Sequence, residues 1–267
     1  MYYHIISSDL DGTLLSLNNC LTEYTKNVIQ LLVSKGIYFV IATGRHYIET
    51  LKIKNNLGVS VFLITANGAR IYDLNDQLIY SCNLKKNIVL QLIQLCLLEK
   101  DILIQLYSHD SWYISKNYFN SKKSYCSFGM QHKLFNLKSL MYLDVIKIFF
   151  TSSNVQKLLL LEKYIINTFK KWVNVSFSDS HCLEIVSCQV SKGNALKLLS
   201  DVLGLSLKDC LSFGDGMNDK DMLEMSGKGC IMKNGQSVLK KSLPNCEIIG
   251  SNSENGVANY LIKIFNL

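Results

Sequence analysis

The sequence predicts an α/β protein: a doubly wound, mostly parallel sheet, interrupted by an inserted α+β block. Three observations predict it. Up to residue 80, continuous apolar strands alternate with amphipathic helices. Each of the first three strands runs into a polar turn, and each turn contains glycine. The same alternation resumes at Ser191, after a long stretch of different character.

The elements follow in order. Residues 4–9 read as a buried strand ending in Ser8-Asp9-Leu10-Asp11-Gly12-Thr13. A helix is expected over 23–34, with Val28, Leu31 and Leu32 on one face and Gly36 ending it. Residues 37–41 form an apolar strand before Thr43-Gly44-Arg45, a helix covers 46–56, and a third strand at 61–64 precedes Ala66-Asn67-Gly68-Ala69. Polar turns after three such strands fall on one rim, where open α/β sheets bind ligands. Residues 70–72 and 78–80 then flank Asn75-Asp76 as a hairpin. The inserted block reads as a helix over 87–99, strands at 103–107 and 112–115 around Asp110, and a strand at 145–150. A helix over 154–172 with Asn154 as N-cap and a hairpin of 173–177 with 182–186 complete it. Beyond Ser191 come a helix ended by Gly204, a strand at 210–213 leading to Gly214-Asp215-Gly216-Met217-Asn218-Asp219, a helix at 221–225, a strand at 229–232 and a helix at 257–265. Residues 1–83 with 190–267 are therefore read as the core domain and 84–189 as the insertion.

Composition bounds the partners. Of the 267 residues, 48% are hydrophobic and 18% charged, which fits a well-filled soluble core. The net charge is +7, but the lysines are spread along the chain, so a solvated surface is expected and no nucleic-acid groove. The nine cysteines are odd in number and lack CxxC spacing, so reduced thiols in a cytoplasmic protein are expected rather than disulfides or zinc. The first residues carry no basic n-region, and no apolar run approaches the roughly 18 residues that span a bilayer. No membrane partner is expected, and a monomer or weak homo-oligomer is.

The motifs carry chemistry. Along a strand, residues i and i+2 share a side, so Asp9 and Asp11 are expected to project together from the carboxyl end of the first strand. Two close anions repel unless a cation or shared proton intervenes, which suits a Mg²⁺ site. Asp9 is the candidate nucleophile, able to attack phosphorus and form an aspartyl-phosphate. Asp11 is the candidate general acid for the leaving alcohol and then base for water. Thr43 and Gly44 offer a hydroxyl and an amide to phosphate at a strand-to-helix junction. Lys192 opposes the dipole of its own helix, which makes sense if it balances phosphate and Asp9. Asp215 can bind Mg²⁺, Asn218 can hold phosphate, and Asp219 can support the site from behind. His46, His109 and His181 are further candidates for the site, and Trp112 and Tyr113 could stack on a substrate ring or form core.

The order DxDGT, TGR, Lys, GDxxND resembles the haloacid dehalogenase superfamily of phosphatases, in its Cof-type (class IIB) form with the cap between the second and third motifs. The resemblance implies a Rossmann-like core, an α+β cap that selects substrate, and phosphomonoester hydrolysis with Mg²⁺. It implies that Asp9, the Asp11 backbone carbonyl and Asp215 bind the metal, and that Leu10 (through its amide), Thr43, Gly44, Lys192 and Asn218 hold phosphate. Asp at position 11 favours a phosphatase over relatives with Thr or Ala there. Ala42-Thr43-Gly44-Arg45-His46, Asn67-Gly68-Ala69-Arg70, 173–178, Cys182-Leu183-Glu184, 213–219 and 227–232 are similar to bacterial pyridoxal phosphate phosphatases. That implies a small phosphorylated metabolite, first of all pyridoxal 5′-phosphate, as substrate. A sugar phosphatase, or a phosphohexomutase or other phosphotransferase, is the alternative. Water must be kept out during transfer and admitted afterwards, so a moving lid is expected, with hinges near Cys82-Asn83 and Gln189-Val190.

Overall fold

The computed structural model describes residues 3–109, 111–115, 132–140 and 142–267. Asp110 and Cys126 lie outside them. The chain divides into two units, Met1–Ser81 with Ser191–Leu267, and Cys82–Val190. In chain order the first unit begins with β1 (Ile5–Ser8), α1 (Glu23–Ser34), β2 (Tyr38–Ala42), α2 (Tyr47–Leu57), β3 (Phe62–Thr65), β4 (Arg70–Tyr72) and β5 (Leu78–Ser81). The second unit follows with α3 (Lys86–Cys96), β6 (Leu103–Tyr107), β7 (Trp112–Ile114), β8 (His132–Leu134), α4 (Leu137–Leu140), β9 (Lys147–Thr151), α5 (Val155–Phe169), β10 (Val173–Asp179) and β11 (Cys182–Ser187). The chain then returns to the first unit with α6 (Lys192–Val202), β12 (Cys210–Gly214), α7 (Lys220–Met225), β13 (Lys228–Met232), α8 (Ser237–Ser242), β14 (Glu247–Ile249) and α9 (Gly256–Phe265).

The first unit is built on a sheet of order β14-β13-β12-β1-β2-β3-β4-β5. It is parallel from β14 to β3 and antiparallel at β4 and β5. Its central strands are buried throughout because both faces are covered, and they are largely apolar, with Ser7, Ser8 and Ser212 among the buried exceptions. On one face Ile6, Phe39, Ile41, Leu63, Leu211 and Phe213 pack with Val28, Ile29 and Leu32 of α1 and Val257 and Leu261 of α9. On the other, Ile5, Val40, Ala42, Ile64 and Cys210 pack with Ala195, Leu196 and Leu199 of α6 and Met222 of α7. Each Val, Leu, Ile, Phe or Met side chain among them contributes about 1.5–3 kcal/mol on burial. Strand β1 lies between β2 and β12, so the chain winds outward in both directions from it, and its carboxyl end is the switch point where such sheets bind ligands.

One helix face differs from expectation. Leu31 is 43% exposed, whereas Thr25, Val28, Ile29 and Leu32 are buried. The buried set follows the i, i+3, i+4, i+7 stripe, and Leu31 stands about 100° off Leu32 around the axis.

The second unit has a sheet of order β10-β11-β9-β6-β7-β8, antiparallel except for β7 with β8. Ile104, Leu106, Ile148, Phe150, Leu183 and Ile185 face Ile88, Leu92 and Ile93 of α3 and Leu158 and Ile165 of α5. Asn154 caps α5, its side chain accepting from the Lys157 N–H. Strands β8 and β14 and helices α4 and α8 were not expected; each is six residues or shorter and carries too little periodicity to read. Among the described residues no helix is long and apolar enough to cross a membrane.

Candidate active site

Four turns at the carboxyl ends of β1, β2, β3 and β12, with the first turn of α6, supply the site, all within the first unit. Strand β1 ends at Ser8, and Asp9 continues in extended backbone with its N–H donating to the Phe213 carbonyl at 3.0 Å. The chain then turns tightly over Leu10–Leu14, with Gly12 at φ +77°. Only glycine suits that position: a Cβ there would collide with the Asp215 carboxylate. The expectation that Asp9 and Asp11 share surroundings on one strand side is corrected here. The turn begins at Leu10, so strand alternation does not carry to Asp11. Asp9 is buried, while the Asp11 side chain is half exposed and ion-paired with Arg45.

Asp9 sits in a buried charge cluster. The Lys192 ammonium, fully buried in the first turn of α6, donates to Asp9 Oδ1 at 2.6 Å and to Asp219 Oδ1 at 2.6 Å. Asp219 Oδ2 accepts from the backbone N–H groups of Asp215 at 3.0 Å and Gly216 at 2.9 Å. Both Asp219 oxygens are thus committed, and its task is to hold Lys192 and the Asp215 turn. Thr13 Oγ1 donates to Asp215 Oδ1 at 3.0 Å.

One carboxylate oxygen from each of Asp9, Asp215 and Asp219 lies within 4.8 Å of the others. Burial pushes Asp9 well above the ordinary carboxylate range; the charges of Asp219, Asp215 and Asp11 push the same way, and Lys192 pulls it back. Burial and the Asp219 charge push Asp215 up to about 6, against the Thr13 hydrogen bond and Lys192. Burial by itself would lower the Lys192 pKa, but the charges of Asp219 and Asp9 outweigh it and hold the ammonium above its usual value. Three carboxylates facing one ammonium leave an excess of negative charge. All-oxygen donors with that excess fit a hard divalent cation, with Asp9 and Asp215 as the side chains able to hold it. The Asp11 carboxylate is not in this cluster; the role expected of Asp11 there is through its backbone carbonyl.

The remaining expected residues frame the same rim. Leu10 is fully buried in the turn after Asp9. Thr43 is buried, with Oγ1 accepting from the Arg45 N–H at 3.1 Å, and Gly44 lies between them. Asn218 Nδ2 donates to Asn67 Oδ1 at 3.2 Å, so Asn67 orients it. Asn67 belongs to three successive left-handed residues, Ala66, Asn67 and Gly68 at φ +49°, +58° and +103°. A Cβ at Gly68 would strike the Ser191 carbonyl, just before Lys192, so this turn packs against the start of α6.

Sequence reasoning assigned no role to Thr13, Arg45 or Asn67. Each lies inside a motif already singled out, but only the fold reveals its partner. His46 proves to be the N-cap of α2: its ring accepts from the Ile48 N–H, and its own N–H donates to Glu49. In the second unit His109 is exposed, and His181 bonds the Ser152 carbonyl at 2.9 Å. Trp112 is buried with Nε1 donating to Gln105, and Tyr113 packs on the core of that unit.

Residues 6–261 match the haloacid dehalogenase-like hydrolase family, and the chain belongs to that family. Within it, this is an enzyme of the phosphatase class. A protein of Buchnera aphidicola subsp. Baizongia pistaciae named "Putative phosphatase" is 61% identical over 263 residues, spanning 98% of each chain. The "HMP-PP phosphatase" of Yersinia pseudotuberculosis is 32% identical over 97% of this chain and 94% of its own. The structure of a haloacid dehalogenase-like hydrolase from B. subtilis superposes with a TM-score of 0.85 at 26% identity, covering 97% of this chain and 98% of that one.

Proposed function

We propose that the chain is a Mg²⁺-dependent phosphomonoesterase of small phosphorylated metabolites, working through an aspartyl-phosphate on Asp9. The observation that carries this is the buried Asp9 carboxylate at the switch point, held by Lys192 at 2.6 Å and converging with Asp215. In the first step a carboxylate oxygen of Asp9 attacks phosphorus, the phosphorus–oxygen bond to the alcohol breaks, and protonated Asp11 gives its proton to the departing oxygen. In the second, Asp11 takes a proton from water as that water attacks phosphorus, releasing inorganic phosphate and the Asp9 carboxylate. Thr43, the amides of Gly44 and Leu10, Lys192 and Asn218 orient the phosphoryl oxygens. A magnesium ion held by Asp9, Asp215 and the Asp11 backbone carbonyl supplies charge neutralisation when bound.

In this reading residues 84–189 are the cap that selects substrate, and the enzyme is cytoplasmic. Pyridoxal 5′-phosphate is the substrate favoured by the sequence resemblance, and the name of the Yersinia relative adds HMP-PP. The test is Asp9→Asn, compared with the unaltered protein on p-nitrophenyl phosphate and a panel of metabolite phosphates, with Mg²⁺ and then EDTA. Hydrolysis should vanish in the variant and in EDTA while the melting transition persists. Full activity of Asp9→Asn would refute the mechanism, and faster phosphate capture by added sugars than by water would make the enzyme a phosphotransferase.

A further inference from the structure

Arg45 directly follows Thr43-Gly44 after β2, and the mechanism above gives it no task. Its backbone is fixed on both sides: its N–H donates to Thr43 Oγ1 at 3.1 Å, and its carbonyl accepts from the Ala66 N–H at 2.9 Å. Its guanidinium forks onto Asp11, Nε donating to Oδ2 at 2.7 Å and Nη2 donating to Oδ1. Two parallel bonds from a planar group fix the plane of the carboxyl as well as its position. The Arg45 side chain is 14% exposed and that of Asp11 49%, so the better-anchored partner holds the freer one. A half-exposed pair contributes little to stability, about 0–1 kcal/mol, so stability alone does not account for a two-pronged contact on this carboxylate.

We infer that Arg45 is a positioning residue for Asp11, holding the acid/base carboxyl in one rotamer through both steps. The inference rests on the role proposed above for Asp11. When Asp11 carries its proton, one oxygen becomes a donor and one arm of the fork opens; the other arm still fixes the group. Lysine, with a single point of contact, cannot do this.

A double-mutant cycle tests it. Arg45→Ala should lower kcat on an alkyl phosphate by about tenfold to a hundredfold, with KM within about twofold, since a placed acid/base contributes about 10²–10⁴. In an Asp11→Asn background the same change should alter kcat by less than about twofold, because the group Arg45 acts through no longer works as an acid. Arg45→Lys should restore only part of the loss. Equal losses in both backgrounds, or a loss confined to KM, would overturn the inference. Crystal structures give a readout independent of turnover: Asp11 should occupy one rotamer in the unaltered protein and several, or a different one, in Arg45→Ala. An unchanged single rotamer in the variant would refute the inference even if the phosphatase reading stands. Absence of Mg²⁺-dependent hydrolysis by the unaltered protein would instead strike the reading of Asp11 itself.

Discussion

Removing the Lys192 ammonium should destabilise the protein strongly, and more so as pH rises. Lys192→Met keeps most of the stem and deletes the charge. In the folded protein the ammonium is fully buried, and the side chains of its partners Asp9 and Asp219 are 8% and 0% exposed. Two hydrogen bonds of 2.6 Å are lost, and two buried carboxylates are left without their cation. Breaking a buried pair from one side costs about 3–5 kcal/mol. At about 2–4 °C per kcal/mol for a protein of this size, the melting temperature should fall by about 6–20 °C. The pH trend follows from linkage. Asp9 already lies above its ordinary value through burial, and losing Lys192 raises it further. A carboxyl raised in the folded state keeps a proton that the unfolded chain has released, so stability falls as pH climbs above the unfolded value. Calorimetry in EDTA at about pH 5, 6.5 and 8 should therefore show a growing deficit in the variant, partly reversed by Mg²⁺. A Lys192→Met melting temperature within about 2 °C of the unaltered protein at pH 8 in EDTA would refute the view that this cluster is held together by its one ammonium.

Three further outcomes are expected. In EDTA the unaltered protein should lose stability as pH rises from near 3.8 towards about 6, because Asp215 is raised to that value by burial and by Asp219, and Mg²⁺ should remove this loss; calorimetric titration with and without the ion checks it. Gly12→Ala should weaken Mg²⁺ binding by about tenfold or more, since the added Cβ strikes Asp215 and φ is +77° there; isothermal titration calorimetry measures it. In the second unit, Lys147 and Glu184 form a buried pair at 2.9 Å, with Ser178 donating to the same carboxylate oxygen. Lys147→Met or Glu184→Leu alone should cost about 3–5 kcal/mol in urea unfolding, and the double variant less than either, because it leaves no uncompensated charge.

What the sequence revealed and what it hid divides along a physical line. The central strands are largely apolar because helices cover both faces of their sheet, and that coverage leaves a one-dimensional signature. The turns that follow them must present polar groups, so Asp9, Thr43 and Asp215 could be read from their places after strands alone. Lys192 was legible for a similar reason: a cation at a helix N-terminus opposes the dipole and calls for an anion nearby. The partner of each charge was another matter. Lys192 meets Asp9 across 183 positions and Asp219 across 27, and Arg45 meets Asp11 across 34. No periodicity links such positions; the strand order β12-β1-β2 and the packing of α6 against that sheet bring them together.

The same line explains where local reasoning went astray. Alternation along β1 placed Asp9 and Asp11 on one side, but the rule holds only while the strand lasts, and the turn starting at Leu10 aims the second carboxylate at Arg45. Under the mechanism proposed above, this divergence separates the surroundings of the two aspartates. As the proposed nucleophile, Asp9 would need its charge balanced by a fixed partner, and it is buried against the Lys192 ammonium. Asp11 lies outside that charge cluster, half exposed and gripped by Arg45, and Gly12 after it takes the left-handed conformation that completes the turn.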